Sequence, residues 1–205
     1  MNNIKNIIFD LGGVLIDWNP EYVYLEVFQG DRKKMKWFFD EVCTMDWNEN
    51  QDAGYSIHQA TEERVKMFPQ YEKWIRMYYG RWEEMLGESI QETVEIFDKF
   101  VANPAFRVVA LTNWSAETFP VALEKFEFLH RFEGIVVSGM EKTRKPFPEI
   151  YKLTLDRYGM NAQESLFIDD NLRNVHAATE MGINAVQFES AAQILNHLDQ
   201  MGIKI

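Results

Sequence analysis

The sequence predicts an α/β fold, a parallel sheet covered by helices on both faces, with a small helical insertion after the first strand. Three observations predict it. Through the C-terminal half of the 205 residues, short apolar runs alternate with amphipathic helical stretches, the pattern of strands joined by helical crossovers. Three of the apolar runs end on polar residues of complementary kinds, Asp10, Thr112-Asn113 and Asp169-Asp170. Between residues 31 and 87 the texture changes to Trp, Tyr and Met with no β-branched, strand-like run, so this region reads as several short helices.

Asn6-Ile7-Ile8-Phe9 rises into Asp10-Leu11-Gly12-Gly13, as a buried parallel strand ends when its last side chain is presented at the sheet's carboxyl edge. Leu15-Ile16 extends into a small flap, and Pro20 fits a first helical position ahead of Tyr22, Leu25 and Phe28. Asp31 and Ser56 read as helix N-caps, with Met35-Phe38-Phe39-Val42 and Val65-Phe68 as the apolar sets behind them. From Gly87 onward, Ile90, Val94, Phe97 and Val101 share one helical face, and Asn103-Pro104 ends that helix. The strand Val108-Val109-Ala110-Leu111 closes on Thr112-Asn113, and a helix is expected from Ser115. Gly134-Ile135-Val136-Val137 is the next strand. A polar connector ending in Arg144-Lys145-Pro146 leads to a helix from Pro148 to about Tyr158. Ser165-Leu166-Phe167-Ile168 runs into Asp169-Asp170-Asn171, and the following helix stops near Gly182. Ala185-Val186-Gln187-Phe188 and a last helix with Ala191, Ile194, Leu195 and Leu198 on one face complete the chain.

Composition narrows the function. A net charge of −11 and a pI near 4.9 leave no basic stripe to release counterions from a polyanion, which argues against nucleic acid as a partner. The single cysteine, Cys43, excludes an intrachain disulfide and a cysteine-based zinc site and suits a reducing, cytoplasmic setting. The N-terminal apolar run is short and broken by Lys5 and Asn6, so no signal peptide is expected, and nothing reaches the length of a membrane span.

In an open parallel sheet all carboxyl ends face one rim, so Asp10, Thr112-Asn113, Lys145 and Asp169-Asp170 should converge there. Crowded carboxylates repel unless a cation neutralises them, and hard oxygen ligands of this kind suit Mg²⁺. A hydroxyl, an amide and an ammonium beside such an ion can hold a phosphoryl group by its oxygens.

Four motifs in this order, Phe9-Asp10-Leu11-Gly12-Gly13-Val14, Leu111-Thr112-Asn113, Arg144-Lys145-Pro146 and Phe167-Ile168-Asp169-Asp170-Asn171, resemble those of the haloacid dehalogenase (HAD) superfamily. The likeness spans the whole chain and is strongest to the subgroup with bacterial glucose-1-phosphate phosphatases and the phosphatase domain of soluble epoxide hydrolase. It implies a Rossmann-like core over residues 1–16 and 88–205, a helical cap over 17–87, and a cytoplasmic Mg²⁺-dependent phosphatase of small phosphorylated metabolites, sugar phosphates favoured. By the same likeness Asp10 is the nucleophile that forms an aspartyl-phosphate. Mg²⁺ is held by Asp10, the Gly12 carbonyl, Asp170 and, directly or through water, Asp169. The backbone of Leu11, Gly12 and Gly13 faces the phosphoryl group, Thr112 and Asn113 donate to it, and Lys145 neutralises charge and orients Asp10.

One position departs from the family pattern. Family phosphatases carry a second aspartate two residues after the nucleophile to protonate the leaving group, and here that position is Gly12. General acid–base help is worth about 10²–10⁴-fold, so the loss calls for a leaving group that needs little protonation, a bound water, or a stand-in acid such as Asp17, His58 or a cap residue. Specificity is expected from cap aromatics, with Trp18, Trp47, Tyr55 and Trp82 as candidates. Two alternatives stand beside the phosphatase: a metal-independent 2-haloacid dehalogenase, against which the Asp169-Asp170 pair argues, and a catalytically silent protein that keeps the phosphate and metal site.

Overall fold

The computed structural model describes residues 3–205. Among these residues seven strands are formed: β1 (Asn6–Phe9), β2 (Ile16–Trp18), β3 (Leu86–Ser89), β4 (Arg107–Thr112), β5 (Gly134–Val137), β6 (Ser165–Asp169) and β7 (Asn184–Gln187). Five make one parallel sheet in the order β5-β4-β1-β6-β7, with β1 at its centre, Phe9 paired to Ala110 on one side and to Ile168 on the other. The chain leaves β1 toward β4 and β5 and returns to the opposite flank with β6 and β7. The order therefore reverses at β1, which puts the ligand crevice of such a sheet at the end of that strand.

Alternation along the strands divides the core in two. Ile7, Phe9, Val108, Ala110, Leu166 and Ile168 face one side, where the helices Gln91–Ala102 and Ala191–Gln200 pack. Ile8, Val109, Leu111 and Phe167 face the other, under the helices Pro148–Tyr158 and Leu172–Glu180. Both layers are apolar, which is why the strands read as continuous hydrophobic runs.

The insertion leaves and re-enters through an antiparallel pair, β2 with β3, that the sequence shows only as a flap at Leu15-Ile16. Leu86-Gly87-Glu88-Ser89 has no period-2 apolar pattern, and a hairpin stem held mainly by backbone bonds does not require one. Between the two strands lie five helices, among them Arg32–Glu41, Met45–Asp52, Ile57–Met67 and Glu72–Gly80. Asp31 and Ser56 cap two of them as expected, Asp31 accepting from the Lys33 and Lys34 amides and Ser56 from Gln59. Their centre is aromatic: Tyr24, Phe28, Phe38 and Trp74 are in mutual contact, with Tyr24 and Phe38 ring centroids 4.9 Å apart.

One boundary and one buried-face expectation are corrected. The helix placed from Ser115 begins at Phe119, because residues 115–118 form a turn in which the Ser115 carbonyl accepts from the Thr118 and Phe119 amides and Pro120 opens the helix. In the last helix Ile194 and Leu198 are buried, whereas Leu195 points outward and is exposed.

Candidate active site

Asp10 stands immediately past β1, where its amide donates to the Ile168 carbonyl at 2.9 Å and so keeps the sheet register one residue beyond the strand. Its Oδ1 accepts from the Leu11 amide at 2.7 Å and lies 2.9 Å from Lys145 Nζ. Lys145 is wholly buried, and its ammonium has three acceptors: Asp10 Oδ1, Asp169 Oδ2 at 2.7 Å and the Leu111 carbonyl at 2.9 Å. Burial alone would lower the Lys145 pKa, but the Asp10 and Asp169 carboxylates outweigh it and raise it, so the ammonium stays charged.

The loop that presents Lys145 is fixed by Asn113. The Asn113 side chain accepts from the Lys145 amide at 2.8 Å and donates to the Lys145 carbonyl at 2.9 Å. Thr112, at the end of β4, is buried and lies outside the cavity wall, whereas Asn113 is part of it.

Asp169 is the anchor of the acidic group. Oδ1 accepts from the Asn171 amide at 2.8 Å and from Asn174 Nδ2 at 3.0 Å, and Oδ2 from Lys145. Asp170, one residue on, is exposed toward the cavity. Ligand oxygens of Asp10, Asp169 and Asp170 all lie within 4.8 Å of one another. Burial pushes the Asp10 carboxyl well above the usual carboxylate range; the Lys145 ammonium opposes this and the Asp169 and Asp170 charges add to it. Asp170 is raised in the same way, by burial first and by Asp169 second. Two carboxyls held up by burial first and by neighbouring acids second, with hard oxygen donors converging, fit a divalent cation, whose charge would offset both.

The two glycines differ. Gly13 has φ +74°, and a Cβ there would meet Asp170 Oδ2 at 2.6 Å, so only glycine lets the backbone approach that acid. A Cβ on Gly12 would meet nothing within 4 Å. The family's usual aspartate is thus missing from a position with room for a side chain. The Gly13 amide donates to the Ile16 carbonyl at 2.9 Å, and the Leu11 amide to Asp10, so both are already engaged with the chain.

Above these residues opens a cavity of about 380 Å³ bounded by the core and the insertion. Asp10, Gly12, Gly13, Asn113 and Asp170 form its floor. Trp18, Trp82, Trp114, Tyr79 and Met45 give it apolar walls, with Trp82 and Trp114 edge to face at 5.6 Å. Of the aromatic candidates, Trp18 and Trp82 reach this cavity, while Trp47 and Tyr55 do not. Trp47 packs on Tyr78 inside the helical layer, and Tyr55 hydrogen-bonds Glu63. Neither proposed stand-in acid lines the cavity: Asp17 accepts from the Tyr22 hydroxyl against the hairpin stem, and His58 is exposed elsewhere.

Sequence reasoning missed the polar face of the helix Met45–Asp52. Asn48, Glu49 and Asp52 line the cavity, and Glu49 is clamped between Arg144 at 2.8 Å and Arg173 at 2.6 Å, both from the core. A signal was present: Met45-Asp46-Trp47-Asn48-Glu49-Asn50-Gln51-Asp52 has no continuous apolar stripe, yet it lies inside a folded insertion, so polar residues had to face inward.

A doubly wound sheet with an aspartate, a lysine and an acidic pair gathered at its switch point defines an enzyme site on a Rossmann-like core. The family model described as "Haloacid dehalogenase-like hydrolase" matches residues 7–188, and the chain belongs to that family. Among curated proteins it is 27% identical to a sesquiterpene phosphatase of Aspergillus oryzae over 96% of each chain. It is 24% identical to a D-ribitol-5-phosphate phosphatase of Bacteroides thetaiotaomicron, over 92% of this chain and 94% of the relative. Among solved structures, a predicted HAD-like hydrolase of Porphyromonas gingivalis superposes with a TM-score of 0.71 at 22% identity, covering 96% and 98% of the two chains. A HAD-family enzyme of Bacteroides thetaiotaomicron in complex with magnesium and inorganic phosphate gives 0.69 at 21% identity, covering 91% and 94%.

Proposed function

We propose that this protein is a Mg²⁺-dependent phosphatase that hydrolyses a small phosphorylated metabolite, a sugar phosphate by preference, through an aspartyl-phosphate on Asp10. The observation that carries the reading is the convergence of Asp10, Asp169 and Asp170 around space for one cation, with Lys145 bridging the first two. Asp10, Asp170, the Gly12 carbonyl and, directly or through water, Asp169 would hold Mg²⁺, which supplies the positive charge that lets a carboxylate approach a phosphate dianion. Lys145 orients Asp10 and favours its charged form for in-line attack on phosphorus. Asn113, Gly12 and Gly13, which line the cavity beside Asp10, would lie nearest the phosphoryl oxygens, with Thr112 and Leu11 behind them. Phosphatases among the similar proteins support the reaction class, and aromatic walls suit the C–H faces of a sugar.

The dehalogenase alternative is disfavoured by Asp170, a second acid facing the cavity that carbon attack without a metal has no use for. Hydrolysis of 4-nitrophenyl phosphate should require Mg²⁺, cease with chelator, and fall at least about 10³-fold in Asp10→Asn. Chelator-resistant activity, or chloride release from a 2-haloacid, would refute the proposal.

A further inference from the structure

We infer that Asp52, the last residue of the helix Met45–Asp52, donates the proton to the leaving-group oxygen and then serves as base for the hydrolytic water, in place of the acid missing at Gly12. This inference rests on the phosphatase reading above. It stands on geometry. Four carboxyls line the cavity: Asp10, Glu49, Asp52 and Asp170. Asp10 and Asp170 belong to the acidic group on the floor, and Glu49 is committed to Arg144 and Arg173. Among the described residues, Asp52 is the wall carboxyl in no ion pair.

Its position is fixed by the cap and by the core. Asn48 Nδ2 donates to Asp52 Oδ2 at 3.1 Å. The Asp52 carbonyl accepts from Ser138 Oγ at 2.5 Å, which ties the end of the cap helix to the residue after β5. A cap acid held this way is carried on a rigid element and lines the same cavity as Gly12, where an added Cβ would meet nothing within 4 Å.

The surroundings keep a proton available. Burial and the neighbouring Glu49 push Asp52 up to about 7, against the opposing pull of Arg144, the Ser115 amide and Lys145. Tyr78 and Tyr79, from the helix Glu72–Gly80, face it as neutral groups, their own pKa values raised first by burial. Near neutral pH both forms of Asp52 are therefore populated, as a group that gives up a proton in one step and regains it in the next must be.

The chemistry balances. As the bond from an Asp10 oxygen to phosphorus forms and the ester P–O bond breaks, the Asp52 carboxyl proton passes to the departing oxygen, which leaves as an alcohol. Water then attacks phosphorus and gives a proton to the Asp52 carboxylate, so Asp10 and inorganic phosphate are released and Asp52 is protonated again.

Leaving-group dependence tests this with Mg²⁺ saturating. In Asp52→Asn, which keeps the shape of the side chain, kcat/KM for an alkyl phosphate should fall at least about tenfold further than for 4-nitrophenyl phosphate, whose leaving group needs no proton. Adding Gly12→Asp to that variant should restore part of the alkyl activity. Equal losses on both substrates, or none on either, would overturn the inference while leaving the phosphatase reading intact. A wild-type protein inactive on every phosphate ester would overturn both. A second readout needs no variant: in the wild type, kcat/KM for the alkyl phosphate relative to the aryl phosphate should decline above pH of about 7, and superimposable profiles would also overturn the assignment.

Discussion

Lys145 and Asp52 illustrate how single buried charges are handled in this molecule. Lys145 is fully enclosed, yet each of its three donors has an acceptor, two of them carboxylates, so its desolvation is offset by strong charge-assisted bonds. Asp52 has the Asn48 side-chain amide as a donor but no ammonium or guanidinium of its own among the described residues, and its pKa rises to about 7 from an ordinary 3.8. A carboxyl raised on folding costs nothing below its unfolded pKa, costs progressively more as pH climbs toward the folded value, and costs its full amount above it. Asp52→Asn should therefore melt higher than the wild type at pH 8, by on the order of 2 kcal/mol once partial solvent access is discounted, with the gain fading toward pH 4. Thermal denaturation across that range checks it, and a pH-independent difference would contradict the assigned environment. At Gly13 the left-handed φ and the close approach to Asp170 explain the residue; at Gly12 neither applies, and the absence of a side chain there is a chemical fact more than a steric one.

At the scale of elements, the helix Met45–Asp52 joins the insertion to the core. Glu49 on this helix accepts from Arg144, in the connector before the helix Pro148–Tyr158, and from Arg173, in the first turn of the helix Leu172–Glu180. The same two segments carry Lys145 and follow the Asp169-Asp170 pair, so a contact that holds the insertion closed also touches the loops that build the floor. Glu49→Gln keeps the shape but gives up both ion pairs. It should raise KM for a small phosphate ester about tenfold with kcat changed less than about threefold, because binding and closure weaken while the reacting groups stay in place. Steady-state kinetics decide this, and an unchanged KM with a collapsed kcat would show that Glu49 acts in the chemistry instead. The strands of the core were legible in the sequence because both sheet faces are covered, leaving uninterrupted runs such as Val108-Val109-Ala110-Leu111 that have no other home. The hairpin stem was not legible, since β3 is stabilised by pairing with β2 and carries no side-chain pattern. Asp10, Lys145, Asp169 and Asp170 could be placed because strand ends in a parallel sheet share one rim. For Asn48, Glu49 and Asp52 the missing apolar stripe marks the helix as unusual, but a helix in an insertion has no topological rule that says which face meets the core.

For the whole molecule, the arrangement concentrates charge where the fold reverses. The chain has a net charge of −11, yet at the centre of its sheet one buried ammonium sits between two carboxylates with a third acid beside them. Among the described residues no helix is long and apolar enough to cross a membrane. The apolar walls belong instead to the cavity, where Trp18, Trp82 and Trp114 surround the approach to Asp10. Both features follow from one placement: an insertion rooted beside the switch point of the sheet covers the acidic floor and supplies the surface that meets the rest of a substrate. The proposed reaction depends above all on attack of Asp10 on phosphorus. Acid quenching during turnover of 4-nitrophenyl phosphate with Mg²⁺, followed by proteolysis and mass spectrometry, tests it most directly. A phosphoryl group is expected on the peptide carrying Asp10 and is expected to be absent in Asp10→Asn. A phosphoryl group on any other residue, or turnover that continues in Asp10→Asn, would contradict it.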